Sequence, residues 1–100
     1  MDEQELRDAI LVLSKITRQA LDRAQNHELA DGLARLGARL PPLVAALAGN
    51  QRDLVRDLRD DIQEGPLAFQ LLGAVEVSGA LAKALKLINQ WLGEGLSALN

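Results

Sequence analysis

Four carboxylates, Asp57, Asp60, Asp61 and Glu64, stand three, four and seven residues apart, a spacing that gathers side chains on one face of a helix. Acids grouped this way form the densest candidate in the chain for holding a hard cation. A di-iron bundle, however, needs Glu-x-x-His pairs from two helices, and a calcium loop needs oxygen ligands spaced around a glycine turn. Neither pattern is in the sequence. Arg52, Arg56 and Arg59 are interleaved with the acids at helical spacing, and each surface pair of this kind contributes about 0.2–0.5 kcal/mol. The face therefore reads as a solvated mixed-charge surface, with a partner-binding patch as the alternative.

The other chemistry-bearing residues are sparse. His27 is the single histidine and lies at a helix junction beside Asn26 and Glu28. Ser14, Thr17, Ser78 and Ser97 have no nucleophile-elbow or triad context that would recruit it, so the reading for His27 is a dipole or capping role at a helix C-terminus. The run from Gly32 to Gly37 lacks the Lys-Ser/Thr of a phosphate loop and follows no strand. Arg35, Arg39, Arg52, Arg56 and Arg59 would attract a phosphate backbone, but Asp53, Asp57, Asp60 and Asp61 would repel it, and no aromatic residue nearby stacks on bases. With no cysteine and no tyrosine, disulfides and thiolate metal sites are ruled out. The expectation is a non-enzyme with no cofactor, no metal and no nucleic-acid partner.

Trp91 is the only tryptophan, with Leu85, Leu87, Ile88 and Leu92 at helical distance. It admits three readings: the largest plug in an aromatic-poor core, an anchor in a protein interface, or a residue at a bilayer surface.

The elements that position these residues are helices. Leucine and alanine supply 21 and 15 of the 48 hydrophobic residues, and both favour helix, whereas the β-branched and aromatic residues that fill strands are scarce. One hundred residues make a single domain, and folding a chain of this mass buries about 65% of the unfolded surface. The longest uncharged stretch, Leu40 to Gln51, is twelve residues and contains Pro41 and Pro42, too short for a membrane span of about 20 residues. The acidic Met-Asp-Glu-Gln-Glu opening is unlike a basic leader, so a cytoplasmic protein is expected. Eight arginines against three lysines fit a GC-rich bacterial source.

Asp2 and Glu5 have the spacing of an N-terminal cap, and Leu6, Ile10, Leu13, Thr17, Ala20 and Ala24 recur at steps of four and three. A first helix is expected from about Glu3 to about Gln25. Asn26 caps a second, with Leu29, Leu33, Leu36 and Leu40 on its apolar side. The first 40 residues read equally as one bent helix or a hairpin. Pro41-Pro42 is expected to end that helix near Arg39 or Leu40, and a short helix then runs to Gly49. Asn50 and Asp53 repeat the capping spacing before a helix carrying Leu54, Val55, Leu58 and Ile62. Gly65-Pro66 marks the main internal boundary.

Beyond that boundary the chain changes character, with 21 charges in residues 1–64 and 4 in residues 65–100. Ser78-Gly79 is a candidate break. After it, polar positions at Lys83, Lys86, Gln90, Glu94 and Ser97 leave most of the circumference apolar, the mark of a buried central helix, an oligomer seam or a membrane-associated segment. The expected fold is all-α, a bundle of about five helices in one domain spanning residues 1–100, with the apolar segment at the core or a subunit seam. The expected function is a non-catalytic interaction protein, an adaptor, scaffold or accessory subunit. It would self-associate as a homodimer, or bind another protein, through Phe69, Leu72, Leu81, Leu85, Ile88, Trp91 and Leu92. The alternative is a membrane-surface or lipid-binding protein, weakened by a polar face with only Lys83 and Lys86 as cations.

Overall fold

The computed structural model describes residues 3–93, which are helix, turn and short connections with no strand among them. Helix α1 spans Glu3–Arg23. Its sequence stripe becomes its buried face, with Leu6, Ala9, Ile10, Leu13 and Thr17 enclosed. Glu3 and Glu5 in the first turn and Arg23 in the last complement the helix dipole. The Asp2 cap lies outside the described residues.

Helix α2 spans His27–Ala48. Asn26 caps it in an extended conformation, its side-chain oxygen accepting from the amides of Glu28 at 2.8 Å and Leu29 at 3.2 Å. Residues 3–40 are thus a helical hairpin rather than one bent helix. His27 opens α2 instead of closing α1, which corrects the expectation that it serves a helix C-terminus.

Pro41 and Pro42 do not end this helix, contrary to expectation; both lie inside it. Two donors are lost there, and the carbonyls of Gly37 and Ala38 go without their helical partners. Two features offset the loss. Both prolines and Ala38 are exposed and Gly37 is half-buried, so the break lies on the outer side of the helix. The apolar period also continues across the break, with Leu36, Leu40, Leu43 and Ala46 all buried, and that burial favours continued helix. Pro42→Ala is therefore expected to stabilise the chain by about 1–3 kcal/mol, since it restores a donor to the Ala38 carbonyl with no loss of packing. Urea unfolding would read the gain as a higher midpoint at unchanged slope.

Helix α2 closes at Gly49 with the amides of Asn50 and Gln51 bonded back to the carbonyls of Leu47 and Ala46. This double bond pattern needs a left-handed residue after the cap. Asn50 supplies it at φ 54°. Asn50 therefore ends α2 rather than capping the next helix, whose N-cap position is Gln51 without a side-chain bond. Helix α3 spans Arg52–Ile62 and buries Val55 and Ile62. Helix α4 spans Gly65–Leu71, with Pro66 in its first turn and Phe69 pointing inward. The absent side chain at Gly65 admits Leu81: a Cβ there would collide with the Leu81 Cδ2 methyl.

Helix α5 spans Val75–Leu92. The chain breaks before it at Gly73, φ 85°, where the amides of Gly73 and Ala74 close α4 on the carbonyls of Gln70 and Phe69. Ser78 and Gly79 lie unbroken inside α5. Ser78 instead ties α5 to α4, its hydroxyl donating to the Pro66 carbonyl at 2.6 Å. Helix α5 packs against α1, α4 and α3, while α2 packs against α1 and α3. Val77, Leu81, Ala84, Leu85, Leu87, Ile88 and Leu92 of α5 join the buried faces of the other helices in one cluster.

Candidate functional site

The residues expected to form an interface divide by depth. Leu81 and Ile88 are wholly enclosed by the chain itself, and Phe69, Leu85 and Leu92 are nearly so. Phe69 holds α4 against α2, its ring 3.3 Å from where a Cβ on Gly32 would stand. Leu72 and Trp91 are only half-buried. Leu72 lines a cleft between α2 and α4 beside Arg35, Arg39 and Asp61. Trp91 lies beneath Arg52, whose guanidinium carbon stands 5.4 Å from the ring centroid.

Arg52 does more than cover the indole. Its Nη2 donates to the Leu92 carbonyl at 2.6 Å and its Nη1 to the Trp91 carbonyl at 3.4 Å, placing a cation on the open carbonyl end of α5. Arg59 reaches the same helix, donating from Nη1 to Asn89 Oδ1 at 2.7 Å. The expectation of a solvated face is therefore corrected for these two arginines, which fasten α3 to α5 across 30 to 40 residues of chain. Local periodicity carries no sign of such partners. Arg52→Ala is expected to cost about 1–2 kcal/mol through lost charge-assisted bonds and ring contact, read as a lower melting temperature and as a red shift in the emission of the single tryptophan.

The carboxylates remain outside. Asp60 accepts from Arg59 Nε at 2.8 Å, Asp61 pairs with Arg39 Nε at 3.6 Å, and Asp53 pairs with Arg56 at 3.4 Å. Asp57 and Glu64 are exposed. The arrangement can hold helices in register, and among the described residues no three acids or histidines converge as a metal site. No helix of the described residues is long and apolar enough to cross a membrane.

The surface that stands out was not singled out by residue type. Leu67, Leu71 and Val75 are 61%, 78% and 67% exposed; Leu67 and Leu71, four apart, share the outer face of α4, and Val75 opens α5 beyond the break at Gly73. Helix α4 turns Gly65 and Phe69 inward, so Leu67 and Leu71 face the opposite way. The end of α1 and the start of α5 line an open groove of about 380 Å³ with Ile16, Ala20, Ala24, Leu29, Ala74 and Val77 in its walls. Val75 lines this groove as well. The remaining exposed large apolar residues, Leu11, Val12, Leu21, Val44 and Leu54, are distributed over α1, α2 and α3, as is ordinary for a folded surface. A sequence signal existed: Leu67 and Leu71 each stand two residues from Phe69, so a helix that turns Phe69 inward carries them on its other side. Comparison with family models, with curated proteins and with solved structures finds no match to this chain.

Proposed function

We propose that this chain is a non-catalytic interaction protein of the cytoplasm that forms a homodimer through the outer face of α4 and the start of α5. The exposed pair Leu67 and Leu71 on the outer face of α4, with exposed Val75 at the start of α5, carries this reading. The inner residues of the same segment support the contact rather than make it. Phe69 seats α4 on α2, and Leu81 fills the space left by Gly65, so the outer pair stands on a fixed platform. An apolar pair on a rigid element associates at little ordering cost. A two-fold dimer is the commonest closed arrangement for such a patch, because each copy covers the pair of the other.

Native mass spectrometry tests this against lipid binding in one spectrum. The expected species is a dimer of about 21.6 kDa, twice the 10.8 kDa chain. A monomer alone, or a monomer carrying lipid from added anionic vesicles, would overturn the reading.

A further inference from the structure

We propose that the cleft between α1 and α2 binds a medium-chain carboxylate, with Ser14, Thr17 and Arg18 holding the carboxyl group and leucines of both helices holding the hydrocarbon. The cleft measures about 340 Å³, at the small end of ligand pockets, which span about 300–1,000 Å³. All of its lining residues belong to α1 and α2, so it leaves the outer face of α4 uncovered and stands independently of the dimer.

Thr17 carries the inference. It continues the buried stripe of Leu6, Ile10 and Leu13 and is 2% exposed, and its hydroxyl is buried with no hydrogen-bond partner. A buried hydroxyl left in this state carries its full desolvation penalty, which a valine of the same shape would not. Thr17 lines the cleft together with Ser14 and Arg18. Ser14 stands three residues before Thr17 and four before Arg18, so the three meet on one side of α1. Among the described residues, neither Ser14 nor Arg18 has a hydrogen-bond or ion-pair partner for its side chain.

That set selects the ligand. All three side chains can donate hydrogen bonds, and one of them is a cation. An acceptor with a single negative charge matches them, and hydrogen bonds to such an anion are roughly twice as strong as those between neutral groups. The walls beyond them include Leu21, Leu33, Leu40 and Pro41, which suit a hydrocarbon chain and not the polar body of a sugar or nucleotide. Threonine adopts two χ1 settings in helices, and turning between them aims the Thr17 hydroxyl at the bound carboxylate.

Isothermal titration of the full chain with sodium octanoate tests this, with octanol as the uncharged probe of the same length. The expected result is saturable binding of one octanoate per chain and weaker binding of octanol. Thr17→Val and Arg18→Gln are each expected to weaken octanoate binding about tenfold or more, the effect of one lost hydrogen bond to a charged group. Thr17→Ser keeps the hydroxyl and is expected to bind as the wild type does. Circular dichroism melts of the variants at or above that of the wild type show that the fold is kept. The proposal is overturned if octanoate does not bind saturably, if octanol binds as tightly, or if either Thr17→Val or Arg18→Gln binds octanoate as the wild type does.

Discussion

Leu81→Ala is expected to lower the unfolding free energy by about 3–4 kcal/mol, near the middle of the range for deleting a buried leucine. Leu81 is wholly enclosed. One methyl group fills the gap left by the missing side chain at Gly65, so truncation removes the contact that lets α4 lie close to α5. The cavity cannot easily collapse, because α4 is also held by the Ser78 hydroxyl on the Pro66 carbonyl and by Phe69 on α2. For a domain whose total stability is about 5–15 kcal/mol, the loss is large. Urea titration should show a lower midpoint. Leu67→Ala, at a site 61% exposed on the other face of α4, should leave the monomer's midpoint nearly unchanged. Equal effects at the two sites would contradict the inward and outward faces assigned to α4.

Leu71→Lys is expected to weaken dimerisation by about 100-fold or more while leaving the fold intact. Full burial of a leucine contributes about 1.5–3 kcal/mol, the substitution acts once in each copy of a two-fold dimer, and each 1.4 kcal/mol corresponds to about tenfold in affinity. Lysine is chosen because Leu71 is the last residue of α4. A cation at a helix C-terminus is favourable, so lost association cannot be charged to a weakened helix. The melting temperature measured at a concentration where the wild type is monomeric should be unchanged. Sedimentation velocity at higher concentration should show only the monomer for the variant.

The helices were legible where local chemistry and burial agree. The stripe from Leu6 to Thr17 and the cap at Asn26 each point one way, and the structure follows both. Pro41-Pro42 sets two rules against each other. The local rule ends the helix there, but the burial period from Leu33 through Leu36 and Leu40 runs on to Leu43 and Ala46, and tertiary burial prevails. Asn50 and Gly73 show a related ambiguity. Asparagine and glycine serve both starts and stops, and only a positive φ with the bonds it permits decides which.

The candidate surface was legible in its third of the chain and not in its face. The scarcity of charge after Gly65 locates an excess of apolar surface there. Which residues remain uncovered depends on how α1, α3 and α4 share the circumference of α5, and that is a long-range outcome. Packing takes up Phe69, Leu81, Leu85, Ile88 and Leu92 and leaves Leu67, Leu71 and Val75 outside. Two arginines of α3 follow the same logic, since Arg52 finds its acceptors at Trp91 and Leu92, and Arg59 reaches Asn89 besides its neighbour Asp60.

Sedimentation equilibrium across a micromolar concentration series, with wild type and Leu71→Lys run side by side, tests the central claim most directly. The predicted result is a wild-type mass rising with concentration from 10.8 kDa toward twice that value, with the variant fixed at the lower mass. A wild type that stays at 10.8 kDa throughout, or a variant that dimerises as well as the wild type, would contradict association through the outer face of α4.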